Sequence, residues 1–382
     1  MSCRSFARRA LIPGLVLLGF AGAPLACRTA RAPELQRFEF HRPFMGTLFR
    51  VILYAGNEPA ARAAAETAFG RIAALENVLS DYDPDSELMR LCQSPPGQPV
   101  RVSVELFDVL ERAQRLAAAT DGAFDVTIGP LARLWRRARR TGELPPAEAL
   151  ARARESVGWQ KLRLDPRRRT VTLLAARMQL DLGGIGKGYA ADAALAALKR
   201  CGVSRALVAA SGDIAVGDPP PGTRGWRVSI GAPEHDAPRG GEREPGGSSS
   251  PPSIVETLLL QNAGISTSGD AEQFVDIGGR RYSHILDPRT GLGLTERIQV
   301  TIVARRATDS DSVATAVSVL GVERGLALVE QRRDLAALIL RNVDGRIERH
   351  VSRRFFKIPR AAVPQTPTAA PARDLPSLAA VP

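Results

Sequence analysis

The hydrophobic and polar positions of this chain predict helices and strands in alternation. Across residues 60–79 the apolar side chains recur every three or four positions, which is the spacing of a helix with one buried face. The same spacing predicts helices that follow Ser103 and that occupy residues 146–156, 189–199 and 311–320. Alternating or continuously apolar runs predict strands at residues 39–54, 206–215, 226–230, 258–264, 298–304 and 336–340, and a hairpin at 162–182 that turns at Asp165-Pro166-Arg167.

The order of these elements decides the expected fold class. Helices and strands that alternate along a chain, without a repeat, are typical of sheets covered by helices. We therefore expect an α/β (α+β) fold, a single domain of mixed sheets packed with helices over residues 38–357. Residues 233–252 are rich in Gly, Pro and Ser and predict a disordered surface insertion, and the Ala/Pro-rich residues 358–382 predict a loose tail.

A glycine-rich stretch joins a predicted strand end to the helix at residues 189–199. From Leu180 to Gly188 it reads LDLGGIGKG. Free backbone N–H groups at the start of a helix attract anions, and Lys187 adds a positive charge. The stretch is neither a Walker loop, which closes with Gly-Lys-Ser/Thr, nor the dinucleotide-binding G-x-G-x-x-G pattern. Two interpretations remain open: an anion site, or a tight turn in which the glycines only supply unusual dihedrals.

Two further places carry candidate chemistry. Asp311 and Thr315 stand four residues apart, so they share one helix face, and their oxygen atoms suit Mg²⁺. The alternative is that Asp309 and Asp311 only stabilise the start of the helix. His284 has a side chain that titrates near neutral pH and suits a general acid or base, or it is a hydrogen-bonded loop histidine. Residues 266–270, reading STSGD, predict a hydroxyl-rich turn.

Composition argues against a nucleic-acid-binding surface. The chain has 382 residues and a formal net charge of +12, and 52 of its residues are Lys or Arg. The basic residues are almost all arginines scattered along the sequence, and aromatic residues make up only 5%. Because a nucleic-acid platform interleaves basic and aromatic side chains on one face, we expect no nucleic-acid partner.

The N-terminus is typical of an export signal. Residues 1–27 begin with arginines and continue as a short apolar, small-residue run that is too short to span a membrane comfortably. Ala21-Gly22-Ala23 fits a cleavage site, whereas Leu25-Ala26-Cys27 is similar to the end of a lipoprotein box, so lipidation of Cys27 stays open. We expect an exported, periplasmic protein, in which Cys92 and Cys201 are left as a pair whose bonding the sequence leaves open.

Seven motifs, in order, resemble those of the ApbE-type FAD:protein FMN transferases. They span about residues 38–356 and are Met45-Gly46-Thr47, the loop at 80–87, Gly122-Ala123-Phe124-Asp125 with Gly129-Pro130-Leu131, the stretch at 181–192, Thr267-Ser268-Gly269-Asp270, the segment at 283–291, and the helix start at 311–315. The resemblance implies an exported, Mg²⁺-dependent transferase. Such an enzyme cleaves FAD, joins FMN to a threonine or serine of a target protein, and releases AMP.

The resemblance also implies roles for individual residues and partners. FAD is expected to contact Met45, Tyr82, Ala123, Phe124, Asp125, Asp181, Lys187 and Leu286. Mg²⁺ is expected at the carbonyl of Gly184 with Asp311 and Thr315, while His284 and Asp311 are the expected catalytic residues. The expected acceptor is a flavin-carrying subunit of a membrane redox complex. An exported FAD pyrophosphatase, which yields free FMN and AMP, and a non-enzymatic flavin carrier remain as alternatives.

Overall fold

The computed structural model describes residues 34–232, 254–269 and 273–361. The predicted signal at 1–27, the insertion at 233–252, Asp270, and the tail beyond residue 361 lie outside these ranges. The helices are α1 Glu58–Leu79, α2 Glu87–Cys92, α3 Val104–Ala119, α4 Gly129–Thr141, α5 Ala147–Arg154, α6 Gly186–Arg200 and α7 Ala307–Gln331. The strands are β1 Gln36–Phe44, β2 Thr47–Ala55, β3 Val100–Arg101, β4 Leu162–Asp165, β5 Thr170–Leu173, β6 Ala206–Ala210, β7 Asp213–Val216, β8 Trp226–Gly231, β9 Ile254–Leu260, β10 Ala263–Gly269, β11 Phe274–Ile277, β12 Arg280–Ser283, β13 Leu286–Asp287, β14 Leu292–Gly293, β15 Arg297–Ala304, β16 Ala336–Val343 and β17 Arg346–Val351.

An eight-stranded antiparallel sheet forms the centre of the molecule, in the order β1-β2-β6-β7-β10-β15-β16-β17. Both faces of the sheet are buried at its inner strand β6. Val208 and Ala210 of β6 face the layer of α1, α6 and α7, whereas Leu207 and Ala209 face the β8–β9 ribbon. This arrangement explains why β6 is continuously apolar rather than alternating. The expected α/β (α+β) fold with mixed sheets and helices is confirmed.

Helix starts follow local capping chemistry. Ser103 caps α3 as expected, because its hydroxyl accepts a hydrogen bond from the N–H of Leu106 at 3.1 Å. Asn57 caps α1 in the same way through the N–H of Ala60. Helix α7 is the one helix among the described residues that is long and apolar enough to span a membrane, but half of its apolar window is buried, and it packs on β10 and β15. Its composition is therefore that of a core helix.

Helices α6 and α7 approach each other very closely at Gly188. A Cβ atom at this position would lie 2.2 Å from the carbonyl oxygen of Ala307 on α7. We expect Gly188→Ala to reduce the free energy of unfolding by about 3 kcal/mol, because one helix must move away. Gly70→Ala in α1 is the control, since nothing lies within 4 Å of its Cβ position. Denaturant unfolding that shows equal effects for both variants would contradict the close approach.

Several strand predictions were wrong in detail. Residues 206–215 form two strands, β6 and β7, since the chain reverses at Ser211-Gly212, where Ser211 adopts a positive φ of 55°. Residues 266–269 are part of β10, between β7 and β15, and not a turn. The segment at 258–264 was predicted as one strand, but it contains the end of β9, a turn and the start of β10. The strand predicted at 336–340 is β16, and it is followed by a further strand, β17.

The glycine-rich stretch also differs from its prediction. Leu180 and Leu182 are buried, but no strand forms there, because their segment bonds to loops instead of a neighbouring strand. The N–H of Leu180 donates to Cys92 Sγ at 3.3 Å, and that of Asp181 donates to the carbonyl of Val126 at 2.8 Å. The β4–β5 hairpin accordingly ends at Leu173. Helix α6 begins at Gly186, three residues earlier than predicted.

Candidate active site

A cleft of about 750 Å³ opens where the glycine-rich stretch meets the β1–β2 turn, the loops after α1 and α3, and the segment after β12. Every residue that the sequence assigned to a site lines this one cleft. These residues are Met45, Tyr82, Ala123, Phe124, Asp125, Asp181, Gly184, Lys187, His284, Leu286, Asp311 and Thr315. The fold thus brings together residues that are up to 270 positions apart in sequence (Met45 and Thr315).

Lys187 and two carboxylates form the charged floor of the cleft. The ammonium of Lys187 lies 2.5 Å from Asp213 Oδ2 and 3.9 Å from Asp311 Oδ1. Burial disfavours the charged lysine, but the carboxylates of Asp311 and Asp213 more than compensate and raise the pKa of Lys187. Lys187 therefore keeps its positive charge at the start of α6, where the helix dipole also favours an anion.

Asp311 is the most deeply buried carboxylate of the cleft, with 2% of its surface exposed. Its Oδ2 accepts a hydrogen bond from the N–H of Gly188 at 2.9 Å. Burial and the neighbouring Asp213 raise the pKa of Asp311 to about 7, although Lys187 opposes the shift. Such a carboxylate gains stability from a further cation in its surroundings.

Gly184 and Thr315 line the cleft together with Asp311. Thr315 lies one turn after Asp311 on α7, and a Cβ on Gly184 would approach Thr315 Oγ1 to 3.0 Å. Carbonyl, carboxylate and hydroxyl oxygens are the donors that Mg²⁺ prefers. Within the described ranges no group of three or more His, Cys, Asp or Glu residues is arranged to hold a metal. The oxygen donors that Asp311, Thr315 and Gly184 offer are of the type that fits a hard cation, with one carboxylate among them.

Arg136 is a cleft residue that sequence reasoning missed. Its guanidinium lies 2.6 Å from Asp81 Oδ2, 2.7 Å from Asp181 Oδ2 and 4.3 Å from the centre of the Tyr82 ring. Burial and Asp181 raise the pKa of Asp81, and Arg136 counteracts them. Asp181 Oδ1 also accepts the N–H of Gly183 at 2.8 Å. Arg136 therefore joins the loop at 80–86 to the glycine-rich stretch.

The remaining predicted residues form the walls of the cleft. Ala123, Phe124 and Leu286 are buried, whereas Tyr82 is 74% exposed at the entrance. Asp125 accepts hydrogen bonds from the N–H and the hydroxyl of Thr127, at 2.8 and 2.7 Å, and burial raises its pKa.

Met45 occupies the tip of the β1–β2 turn with a φ of 49°. Its N–H donates to Glu76 Oε1 on α1 at 2.5 Å, which fixes the turn against that helix.

His284 lies at the mouth of the cleft with its ring exposed on one side. Its Nδ1 is 3.0 Å from the carbonyl oxygen of Gln273, and because a carbonyl only accepts, Nδ1 must carry the proton. The protein that surrounds the rest of the ring lowers the pKa of His284, and the charges of Arg139 and Lys187 add to this effect, against the Gln273 carbonyl. Near neutral pH the ring is therefore neutral, and Nε2 is free to accept a proton.

Neither Asp213 nor Arg136 was predicted as a site residue, for different reasons. Asp213 is the first residue of β7, whereas the sequence predicted a single strand through this position. Arg136 is one of five arginines in α4, and no spacing rule distinguishes it from the others. Only the contact between α4 and the loop after α1 singles it out.

Comparison with known proteins identifies the family. The model of the ApbE family matches residues 45–339. The chain is 34% identical over 319 residues to the FAD:protein FMN transferase of Treponema pallidum, with 81% of this chain and 85% of the relative covered. It is 30% identical over 347 residues to a FAD:protein FMN transferase of Klebsiella pneumoniae, with 89% and 94% covered.

Solved structures agree with this family match. The flavin transferase ApbE of Vibrio cholerae superposes with a TM-score of 0.74 at 27% identity, covering 85% of this chain and all of that one. The apo flavinyl transferase ApbE of Pseudomonas stutzeri gives 0.72 at 29% identity, covering 86% and 98%. A family match across most of the chain and relatives at this level of identity lead to one conclusion. This chain belongs to the ApbE family.

Proposed function

We propose that this chain transfers FMN from FAD to a threonine or serine hydroxyl of another protein and releases AMP. The observation that carries the proposal is the convergence of three features in one cleft: the ammonium of Lys187, the carboxylate of Asp311 with Gly184 and Thr315 in the same lining, and the imidazole of His284. Relatives named FAD:protein FMN transferase support this assignment.

The shape and charge of the cleft suit FAD. Met45, Tyr82, Ala123, Phe124 and Leu286 offer apolar surface and one exposed aromatic ring for the flat flavin and adenine rings. Lys187 and the start of α6 offer positive charge for the diphosphate. Asp125 and Asp181 are held by Thr127 and Arg136, so we propose that they shape the pocket as well as contact the ligand.

Magnesium would be held by the carbonyl of Gly184, Asp311 and Thr315. When bound, Mg²⁺ would offset the negative charge of the diphosphate and of the departing AMP. The chain's own contribution is to keep these oxygens together through Gly188, whose N–H orients the Asp311 carboxylate. Lys187 adds a fixed positive charge on the same floor.

The proposed reaction is a displacement at phosphorus. The acceptor hydroxyl oxygen forms a bond to the phosphorus atom on the riboflavin side, and the bond from that phosphorus to the bridging oxygen breaks. The electron pair of the broken bond leaves with AMP. The proton of the hydroxyl passes to Nε2 of His284, a residue that lines the cleft and whose Nδ1 is engaged by the carbonyl of Gln273.

We further propose an exported enzyme that acts in the periplasm on a flavin-carrying subunit of a membrane redox complex. The support is the signal-like sequence of residues 1–27, with Cys27 as the candidate for a lipid tether. Mass spectrometry of the mature N-terminus tests this: a lipidated Cys27 is the expected result for a tethered form, and cleavage after Ala23 is the result for a free form.

The first test of the transferase is the intact mass of a candidate acceptor domain after incubation with the protein, FAD and Mg²⁺, while AMP is quantified. The expected result is a gain of one FMN on a threonine or serine with an equal amount of AMP. Free FMN with AMP would favour the pyrophosphatase. FAD that stays bound and intact would favour a flavin carrier.

Arg136→Met tests the role of the two ion pairs by which Arg136 joins Asp81 to Asp181. Without the guanidinium, two carboxylates face each other, and Tyr82 loses its cationic partner. We expect the KM for FAD to rise by about tenfold, because these like charges repel and the loop at 80–86 loosens, while kcat changes by less than about threefold. Arg137→Met is the control, since Arg137 lies on the same helix but does not line the cleft. Unchanged FAD binding in Arg136→Met would show that these ion pairs do not support the FAD site.

A further inference from the structure

We propose that Asp192 is a positioning residue for the metal ligands, which fixes the start of α7 to α6. The inference rests on the proposed function, because the ligands concerned are those proposed there for Mg²⁺. Asp192 lies in the middle of α6 and does not line the cleft, so it acts through other residues. Its carboxylate is largely buried between the two helices.

The contacts of Asp192 replace the missing cap of α7. One carboxylate oxygen accepts the N–H of Ala307 at 2.9 Å, and the other accepts the N–H and the hydroxyl of Thr308 at 2.9 and 2.6 Å. Arg306, the residue at the cap position of α7, makes no side-chain cap bond. The first free N–H groups of α7 are therefore satisfied by a carboxylate from another helix.

A second contact one turn away completes the register. Gly188 lies four residues before Asp192 on α6, and its N–H donates to Asp311, which lies four residues after Ala307 on α7. The two helices are thus antiparallel, and two hydrogen-bonded contacts join them, Asp192–Ala307 and Gly188–Asp311. The second of these contacts is itself a hydrogen bond to a proposed metal ligand, Asp311.

The surroundings of Ala307 leave little freedom in this arrangement. A Cβ on Gly188 of α6 would lie 2.2 Å from Ala307 O, and a Cβ on Gly264 of β10 would lie 2.2 Å from Ala307 N. Gly184 lies two residues before the start of α6, whereas Asp311 and Thr315 belong to α7. The distance between the proposed ligands consequently depends on how firmly α7 is held to α6, and ligand geometry must be kept within about 0.5 Å.

The test is the affinity of the full chain for Mn²⁺, measured by electron paramagnetic resonance without an acceptor. The protein is studied alone and with ADP, which supplies a diphosphate but no flavin to transfer. For Asp192→Asn we expect the Mn²⁺ dissociation constant to rise about tenfold, as is usual when support behind a ligand is lost. Thr308→Val, which removes one of three bonds, should raise it by about threefold.

A control separates positioning from general stability. Ser103→Ala removes the cap of α3, which carries none of the proposed ligands, and should lower the melting temperature without changing Mn²⁺ affinity. If Asp192→Asn lowers the melting temperature but leaves Mn²⁺ affinity unchanged, Asp192 is merely structural and the inference fails. Should Asp192→Asn not fold, Thr308→Val decides in the same way. If the wild-type chain binds no Mn²⁺ in either condition, the metal proposal fails first, and this inference fails with it.

Discussion

Replacing Asp311 with asparagine is expected to reduce FMN transfer by about a thousandfold, equivalent to about 4 kcal/mol of transition-state free energy. The asparagine keeps the shape of the side chain and can still accept the N–H of Gly188. It loses the one carboxylate in the proposed set of metal ligands, and it removes one of the carboxylates that stabilise the charge of Lys187. Transfer is measured by AMP release and acceptor mass at saturating Mg²⁺.

The stability of Asp311→Asn should move in the opposite direction from its activity. The pKa of Asp311 is raised to about 7 by burial and Asp213, above that of an aspartate in an unfolded chain. Its ionisation is therefore unfavourable to folding, and stability that is present at low pH is lost as the pH rises through about 7. Asparagine cannot ionise, so above pH 7 the melting temperature of the variant should equal or exceed that of the wild type.

Asp309→Asn is the matched control for this prediction. Asp309 lies in the first turn of the same helix but does not line the cleft. Its loss removes a favourable charge near the start of the helix, which costs about 0.5 kcal/mol and should leave transfer intact. Full transfer by Asp311→Asn with saturating Mg²⁺ would show that this carboxylate neither binds the metal nor assists the reaction.

The sequence predicted those parts of the fold that depend on local periodicity. Helix α1 follows its apolar spacing, with Ile72 and Leu75 on the buried face, and Ser103 caps α3. Both signals are local, because a helix buries one stripe and satisfies its first N–H groups within a few residues. The resemblance to the family motifs then predicted twelve site residues, and all of them line one cleft in the structure. Their roles remain predictions.

Features that depend on partners far along the chain could not be predicted in this way. The hydroxyl groups of β10 suggested a turn, but Ser266 bonds Ser310 of α7 at 2.8 Å, and Thr267 bonds Thr301 of β15 at 2.9 Å. Polar residues inside a sheet are compatible with a strand when a neighbouring element supplies the hydrogen bonds. That information lies more than 30 residues away in the sequence.

The same limit explains why the support of the site was missed. Arg136 can be recognised as a site residue only through its ion pairs with Asp81 and Asp181, which lie on two different loops. Residues that touch a substrate recur in motifs, whereas residues that hold those motifs in place are recognised only by their contacts. In this chain such supporting residues are charged groups buried between elements, where an unpaired partner would be costly.

The second large effect is expected for His284→Gln, with FMN transfer reduced by about a hundredfold to a thousandfold. Glutamine can still donate to the carbonyl of Gln273, but it cannot accept a proton from the acceptor hydroxyl. FAD affinity should stay within about twofold, because the role of His284 lies in the transfer step. The control is His350→Gln on β17, whose ring contacts Glu348 away from the cleft.

The pH dependence of transfer gives a further readout of the same residue. His284 acts only when its ring is neutral, and burial, together with Arg139 and Lys187, lowers its pKa. Transfer by the wild type should therefore rise with pH and reach its plateau at a lower pH than an exposed histidine would allow. At saturating Mg²⁺, which would keep Asp311 ionised, the rate of His284→Gln should no longer rise with pH over this range. A variant that keeps both the full rate and the same rise with pH would assign the proton transfer to another group, and His284 would then only shape the mouth of the cleft through its bond to Gln273.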